Sequence, residues 1–416
     1  MPATIAALGA IACGHPITAS AAVEMLQAGG NAFDAAIAAV CTATVVEPVL
    51  ASLAGGGFLL ARPAGGSAQI LDFFVQTPRR RLGEASALKA VAADFGTTTQ
   101  TFHIGAGAIA TPGVVAGLFK AHRAFARLPL SELVAPAVAA ARDGTEINAF
   151  QAGIFDIVRP IYEKTAPYRG VRTGTTLLQP ELADTLEGLA REGPELFYQG
   201  EIAAALVGLC RDEGGHLNRA DLAQYQVIER KPLRFNYRGF SLSTNPPPSA
   251  GGVLIRHTLR TLGDDPPTPT GLARALAATD KARMRVLASQ GLVTRGTTHI
   301  SVADSDGNLA AITLSNGEGA GRMIPGTGIM ANNMLGEEDI NPAGIDRWQP
   351  DERLGSMMAP TLATSRQQEL ILGSGGSNRI RSAIAQVIAR RLNALAAGDS
   401  DTHNAEASVR APRLHV

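Results

Sequence analysis

The sequence contains little cysteine, no net charge and no long uninterrupted apolar stretch. Three cysteines are present, Cys13, Cys41 and Cys210. Because their number is odd and their spacing does not suit a metal, neither a disulfide framework nor a zinc site is indicated, and we expect buried thiols. Thirty-seven basic residues balance thirty-seven acidic ones. This balance removes the electrostatic basis for nucleic acid or an anionic membrane as the main partner, and a small neutral or polar substrate fits better.

The longest apolar segments are too short to predict a membrane span. The most apolar one, Ala35 to Val46, lies between Asp34 and Glu47, and a span needs about 20 apolar residues. Met1 to Gly14 is apolar but has no basic segment before it. We therefore expect it to form a first strand and not a signal peptide, and we expect a cytoplasmic protein without a membrane partner.

The chain has ample apolar material for a thick layered core. Hydrophobic residues are 45% and charged residues 18% of 416, which is typical of a globular protein and favours one large α/β unit. Composition and periodicity predict helices at 34–45, 180–191, 201–211 and 271–288.

Capping and turn residues predict several boundaries between elements. Thr18 or Ser20 is expected to cap a helix, and Pro112 to lie in the first turn of another. The triplet Gly55 to Gly57 leads into a strand, a turn and a second strand. Residues 264–270, rich in proline and threonine, are the best candidate for a linker.

A β-hairpin is predicted from residue 296 to residue 315. β-Branched residues flank a Ser-Asp-Gly turn, and a second apolar run follows it. A three-residue turn with Gly307 in the left-handed region would pair Thr297 with Ser315, whereas a two-residue turn would pair Thr297 with Asn316. Both registers bring a hydrogen-bonding side chain beside Thr297.

Thr297 is the candidate nucleophile of this hairpin. A hydroxyl is a weak nucleophile until a base takes its proton, and a threonine at a free N-terminus carries a base as its own α-amine. Such an N-terminus requires cleavage of the chain after Gly296, a residue that can adopt backbone geometries closed to others. The alternative from these residues alone is an ordinary threonine-rich hairpin at a sheet edge.

Motifs along nearly the whole chain resemble the γ-glutamyltransferase family of N-terminal-nucleophile hydrolases, in a divergent and shortened form. The matching segments, in order, are His15-Pro16, Gly29 to Ala36, Val46-Glu47-Pro48, Gly55 to Phe58, Thr111-Pro112-Gly113, Pro246 to Gly252, Thr297-Thr298-His299, Pro325 to Ile329 with Asn332-Asn333, Ser356 to Thr361, Gly373 to Ser377, and Ala411 to His415.

The resemblance implies roles for the residues that would carry the chemistry. Thr297 would be the nucleophile twice, first in self-cleavage between Gly296 and Thr297 and then against substrate. Ser315 matches a second hydroxyl that orients the nucleophile. Gly375 and Gly376 match an oxyanion loop, although a phosphate-binding loop is the rival interpretation; no lysine follows as a P-loop requires.

Substrate contacts are also implied by the resemblance. Asn316 matches an asparagine that contacts substrate, and Ser377 belongs to the glycine-rich oxyanion segment. Ser356 matches the second of two serines that hold the substrate carboxylate. Glu337 stands where an aspartate binds the substrate α-amine. His299, two positions after the nucleophile, is expected to be structural, with a catalytic base as the alternative.

Three positions depart from the family pattern. Phe74 replaces an arginine that pairs with the substrate α-carboxylate, so a charge anchor has become an aromatic ring and Phe74 is expected to contact the acyl group of substrate. Gly355 replaces the first of the paired serines, and Met334 replaces a glutamine. Other cations could come from Arg79, Arg80, Arg81 or Arg322.

Together these features predict an N-terminal-threonine amidohydrolase or acyltransferase with a four-layer αββα sandwich. The expected reactants are a small amide and water or an amine acceptor, without metal or cofactor. Segments 1–296 and 297–416 would be the two fragments of one compact domain and would remain associated, with a homodimer as a further option. The alternative is an uncleaved relative that only binds a ligand.

Overall fold

The computed structural model describes residues 8–83, 87–94, 99–286, 296–337, 341, 344–345, 347–376, 378–398 and 404–416. Within these ranges no helix combines the length and the apolar character that crossing a membrane requires. The expected first strand is present as Gly9–Ala12; the residues before Leu8 lie outside the described part of the chain.

The described residues form fourteen α-helices. They are α1 (Pro16–Gln27), α2 (Ala32–Val46), α3 (Val114–Phe125), α4 (Leu130–Asp143), α5 (Ala149–Ile157), α6 (Arg159–Tyr162), α7 (Pro180–Glu192), α8 (Glu195–Tyr198), α9 (Glu201–Asp212), α10 (Arg219–Ala223), α11 (Gly251–Leu262), α12 (Pro269–Val286), α13 (Arg379–Ala396) and α14 (Ala405–Arg410). Two 3₁₀ turns are Ala106–Ala108 and Met334–Gly336.

The strands form two main antiparallel sheets and three two-stranded ribbons. They are β1 (Gly9–Ala12), β2 (Gly56–Arg62), β3 (Gln69–Phe73), β4 (Lys89–Asp94), β5 (Thr99–Ile104), β6 (Thr145–Glu146), β7 (Thr176–Leu177), β8 (Ile228–Arg230), β9 (Leu233–Tyr237), β10 (Phe240–Thr244), β11 (Thr298–Asp304), β12 (Leu309–Ser315), β13 (Met323–Ile324), β14 (Ile329–Met330), β15 (Thr361–Thr364) and β16 (Glu369–Leu372).

The six-stranded sheet has the order β1-β11-β12-β2-β3-β8, and the four-stranded sheet has the order β16-β15-β10-β9. Strands from both sides of residue 297 are therefore neighbours in the larger sheet. Since β11 and β12 lie between β1 and β2, the segment that begins at Thr297 is hydrogen-bonded on both flanks to the segment that precedes it.

Two apolar cores hold four layers together. The first core joins one face of the larger sheet, through side chains such as Leu59 and Ile312, to α2, α3, α4 and α7. The second core joins the opposite face, through Leu60 and Ile70, to the smaller sheet and to α11 and α13. Burying the larger sheet on both faces explains why its central strands β2 and β12 are buried at nearly every position. This is the αββα sandwich expected from the sequence.

Helix α2 lies wholly inside the first core, as its uniformly apolar sequence predicts. All fifteen of its residues are buried. Its N-terminus is closed by a capping box, in which Asn31 accepts from the backbone N–H of Asp34 and the Asp34 carboxylate accepts from the N–H of Asn31. These bonds satisfy N–H groups that would otherwise be buried without a partner.

Three predicted boundaries were wrong. His15, not Thr18 or Ser20, caps α1, since its ring accepts from the N–H of Ile17; Thr18 instead donates to Glu47. Pro112 precedes α3, which begins at Val114. The expected linker does connect two helices, α11 and α12, which pack together, but α12 begins two residues earlier than predicted, at Pro269.

The hairpin of β11 and β12 adopts the three-residue-turn register. Thr298 pairs with Leu314 and His299 with Thr313, while Gly307 has φ +89°. Extending this register by one residue places Thr297 opposite Ser315 and not opposite Asn316. Asp306 is not left-handed, whereas a type I′ two-residue turn would need positive φ at both Asp306 and Gly307, so the backbone agrees with the three-residue turn.

Candidate active site

The bond between Gly296 and Thr297 lies at the start of β11, beside the end of β12. The Ser315 hydroxyl donates to the Gly296 carbonyl oxygen at 2.6 Å. The same hydroxyl oxygen accepts from the N–H of Gly317 at 3.0 Å, so its proton is directed at the carbonyl. A hydroxyl in this position polarises the carbonyl that a Thr297 hydroxyl would attack.

Gly296 occupies a space that admits no side chain. A Cβ placed on it would lie 2.9 Å from the carbonyl oxygens of Gly317 and Val49. Its N–H donates to a Glu318 carboxylate oxygen at 3.2 Å. Both polar backbone groups of the residue before the candidate cleavage bond are therefore held by the end of β12 and the turn that follows it.

The glycine-rich loop between β16 and α13 packs directly against Thr297. A Cβ on Gly375 would lie 2.3 Å from the Thr297 carbonyl oxygen and 3.4 Å from Thr297 Cβ. Gly376 has φ +102°, a conformation that disfavours any side chain. Helix α13 starts at Arg379, so the loop also lies at the positive end of a helix dipole. Ser377 lies outside the described residues.

Thr298 has a different environment from its neighbour Thr297. It is buried, and its hydroxyl donates to a Glu47 carboxylate oxygen at 2.8 Å. The other oxygen of Glu47 accepts from Thr18 at 3.1 Å. Burial raises the pKa of Glu47 while the two hydroxyl donors lower it. Thr298 is thus linked through Glu47 to α1 and α2, and its engaged hydroxyl does not suit a nucleophile.

His299 is held within the sheet, as expected for a structural histidine. Its ring nitrogens are hydrogen-bonded to the hydroxyls of Thr313, at 2.7 Å, and Ser301, at 2.9 Å. Burial lowers the pKa of His299 to about 3. A Cβ on Gly373 would lie 2.2 Å from the ring, so the imidazole also fixes the start of the glycine-rich loop.

Polar side chains are buried next to Ser315. The amide group of Asn316 is fully buried, and among the described residues neither its nitrogen nor its oxygen has a hydrogen-bond partner. Glu337 lies close by, because a Cβ on Gly317 would be 2.1 Å from a Glu337 carboxylate oxygen and 2.0 Å from the amide oxygen of Asn333. Carboxylate and amide groups therefore gather around this turn.

The positions that depart from the family pattern lie in apolar surroundings. Phe74 is 1% exposed and stacks on Phe58 with ring centroids 5.5 Å apart, and Met334 belongs to the same second core. Gly355 approaches Pro248, whose carbonyl oxygen would lie 2.9 Å from a Cβ. Ser356 is buried, and its hydroxyl accepts from the N–H of Met358. Contact of Phe74 with substrate stays a prediction.

Two of the alternative cations, Arg79 and Arg322, are engaged elsewhere. Arg79 pairs with Asp351 at 3.0 Å on the surface, and Arg322 pairs with Glu213. A buried cation is linked to the backbone of Phe74 through Asp72: Arg353 pairs with an Asp72 carboxylate oxygen at 3.0 Å, and the same oxygen accepts from the N–H of Phe74. Because its guanidinium also donates to backbone oxygens, Arg353 stabilises the end of β3.

Comparison with known proteins agrees with this geometry. The family profile described as "Gamma-glutamyltranspeptidase" matches residues 18–271 and 272–416. The chain belongs to the γ-glutamyltranspeptidase family. It is therefore an enzyme of that family, which contains both hydrolases and acylases among its relatives.

The relatives include enzymes of two names. The glutathione hydrolase proenzyme of Pseudomonas aeruginosa is 30% identical over 91% of this chain and 79% of its own length. The acylase ACY 1 proenzyme of Pseudomonas sp. strain SE83 is 29% identical over 91% and 78%. Both relatives are named as proenzymes.

Solved structures confirm the fold. Cephalosporin acylase from Bacillus halodurans superposes with a TM-score of 0.77 over 92% of this chain and 80% of its own, at 24% identity. Helicobacter pylori γ-glutamyltranspeptidase superposes with a TM-score of 0.59 over 69% and 86%, at 27% identity.

Two buried carboxylates of this family member, those of Glu47 and Glu318, were not predicted as site residues. Glu47 lies in a quoted family motif, and its position at the end of an all-apolar helix was the available signal. Glu318 is the one acidic residue of a short glycine-rich turn, and its approach to Gly296 depends on the fold of that turn. Among the described residues, no group of three or more His, Cys, Asp or Glu side chains could hold a metal ion.

Proposed function

We propose that this protein is a self-processing amide hydrolase or acyltransferase that uses Thr297 as its N-terminal nucleophile. The observation that carries the proposal is the bond from Ser315 to the Gly296 carbonyl oxygen, at 2.6 Å. It lies directly before a threonine that packs on the glycine-rich loop. Relatives named as proenzymes support the same conclusion.

Self-cleavage proceeds in two balanced steps. The Thr297 hydroxyl oxygen adds to the Gly296 carbonyl carbon, the C–N bond between the two residues breaks, and the hydroxyl proton ends on the Thr297 nitrogen. Water then hydrolyses the resulting ester, which leaves a Gly296 carboxylate and a Thr297 with a free α-amine and hydroxyl. Ser315 stabilises the oxygen on which charge develops in the first step.

Turnover reuses the same hydroxyl. The α-amine of Thr297, with a reference pKa of about 8, takes the hydroxyl proton as the oxygen attacks the substrate carbonyl. The backbone N–H groups around Gly375 and Gly376 are the donors for the tetrahedral intermediate, beside the N-terminus of α13. Transfer of the acyl group to water gives hydrolysis, and transfer to an amine gives acyl transfer.

The acyl group of the preferred substrate lacks the α-amino acid head group of a γ-glutamyl donor. An arginine is replaced by the buried Phe74, and two of the other expected cations, Arg79 and Arg322, are paired at the surface. Asn316, Glu337 and Ser356 remain as polar contacts for the substrate. An amide with an apolar, flat or small acyl group therefore suits this site better than one whose acyl group carries an amino acid carboxylate.

The decisive experiment is intact-mass measurement of the purified protein over time. We expect two fragments divided before Thr297, which remain associated because β11 and β12 lie inside the larger sheet. Thr297→Ala should remain full-length, whereas Thr298→Ala should still be cut at the same bond. A wild-type chain that stays intact would support the alternative, a ligand-binding relative without catalysis.

A further inference from the structure

Glu318 binds Gly296, the residue before the cleavage bond, at its N–H, whereas Ser315 binds its carbonyl. Its side chain is 2% exposed, and one carboxylate oxygen accepts from the N–H of Gly296 at 3.2 Å. Ser315 donates to the carbonyl of the same glycine at 2.6 Å. One short turn therefore binds Gly296 through both its donor and its acceptor.

The turn that carries Glu318 is braced against the rest of the site. The N–H of Glu318 donates to the Asn333 amide oxygen at 2.9 Å, and Glu318 forms a β-bridge with Asn316. Gly317 has φ +66°, and a Cβ there would strike Asn333 and Glu337. These contacts fix the Glu318 backbone independently of the hydrogen bond between its carboxylate and Gly296.

Gly296 needs such an anchor because of its own chemistry. Glycine has the widest choice of backbone conformations of any residue, so an unheld Gly296 could rotate its carbonyl away from the attacking hydroxyl. Attack requires the reacting atoms in near-contact and aligned, and a misplacement of about 1 Å can lower a rate about a hundredfold.

We propose that Glu318 is a positioning residue for cleavage of the chain: its carboxylate anchors the Gly296 N–H and so keeps the Gly296 carbonyl at the Ser315 hydroxyl and within reach of Thr297. This inference rests on the proposed self-cleavage. Glu318 acts through Gly296, since its bond is to the nitrogen of Gly296 and not to Thr297. It is a role in the first step, the attack that forms the ester.

The test compares two uncharged variants of similar size. Glu318→Gln keeps an oxygen that can accept from Gly296, while Glu318→Met fills the same space without an acceptor. We expect Glu318→Met to slow cleavage at least about tenfold, a loss of about 1.4 kcal/mol, and Glu318→Gln to stay within about threefold of wild type. Glu213→Gln, at a surface ion pair, is the control and should cleave as wild type does.

Hydroxylamine identifies the step that is affected. It cleaves an ester already formed at Thr297, so it would accelerate a variant that is slow only in ester hydrolysis. We expect no acceleration of Glu318→Met. Thermal unfolding of each variant verifies folding, and if Glu318→Met does not fold, Glu318→Ala takes its place in the comparison.

The outcomes separate this inference from the proposed function. A wild-type chain that never cleaves overturns both. Cleavage of wild type together with an unaffected Glu318→Met overturns the role of Glu318 alone. The role is also overturned if hydroxylamine restores cleavage in Glu318→Met, or if Glu318→Gln is as slow as Glu318→Met.

Discussion

The surroundings of Thr297 keep the residues of the family pattern, whereas the apolar core around Phe74 departs from it. Around Thr297, close backbone packing leaves no room for change: Gly296 and Gly375 would each strike a carbonyl oxygen if they gained a Cβ. Around Phe74, an aromatic ring and a methionine fill an apolar core. In the proposed mechanism, bond cleavage depends on backbone positions, whereas substrate choice depends on side chains.

The relatives of this chain include proteins named as glutathione hydrolase and as acylase. Replacing an arginine by phenylalanine removes a charge contact but preserves a well-packed core. Adding a methyl group at the nucleophile would move the reacting atoms themselves. The following predictions test whether the two regions are as independent as this comparison implies.

The largest expected effect concerns the arginine of the family pattern that Phe74 replaces. Losing one partner of a buried charge pair costs roughly 2 to 5 kcal/mol, or about thirty-fold to a few thousand-fold in specificity. We therefore expect kcat/KM for a γ-glutamyl anilide or glutathione to be lower by this factor than for the best simple acyl amide. Steady-state kinetics on a panel of amides measures it. A γ-glutamyl compound at the head of the panel would contradict our interpretation of Phe74.

The next effect concerns the glycine-rich loop. Gly375→Ala would place a methyl group 2.3 Å from the Thr297 carbonyl oxygen, and disturbing an oxyanion donor typically lowers kcat about a hundredfold or more. Turnover per cleaved chain is the measurement. Gly208→Ala, in α9 with open space around its Cα, is the control. Wild-type turnover in a cleaved Gly375→Ala protein would reduce the loop to a simple connection.

Thr298 distinguishes a structural threonine from the adjacent nucleophile. Thr298→Val removes a buried donor to Glu47, which should lower the free energy of unfolding by about 1–3 kcal/mol and leave cleavage before Thr297 intact. Chemical denaturation and intact mass measure the two properties. The control is Thr261→Val at an exposed position, which should unfold as wild type does. Loss of cleavage in folded Thr298→Val would refute the separation of roles.

The smallest effect is the pH dependence due to His299. Since its pKa falls from 6.5 to about 3 on folding, the unfolded chain binds the proton first as the pH drops. Its contribution to stability is complete above pH 6.5 and is lost progressively towards pH 3. Between pH 7 and pH 6 the loss is about 0.7 kcal/mol. Denaturation of His299→Gln should therefore show a shallower change over this interval; an equal slope would contradict a neutral buried ring.

The sequence predicted local elements well wherever one physical signal dominated. An almost wholly apolar run predicted α2 as a buried helix. The glycine at position 307 reduced the possible hairpin registers to two. Boundaries failed where another group satisfied the helix end first, as His15 did at α1. No periodicity could reveal that Glu318 reaches Gly296, because the contact joins residues 22 positions apart.

The sequence by itself determined the family, the layered class and the identity of the candidate nucleophile, because these rest on ordered motifs and on residue chemistry. Only the tertiary structure decided which groups surround Gly296 and which threonine is held by Glu47. It also decided that Phe74 lies in the core beside Phe58. Those outcomes depend on distances between strands, loops and helices far apart in the chain, and packing settles such distances only when all layers are assembled.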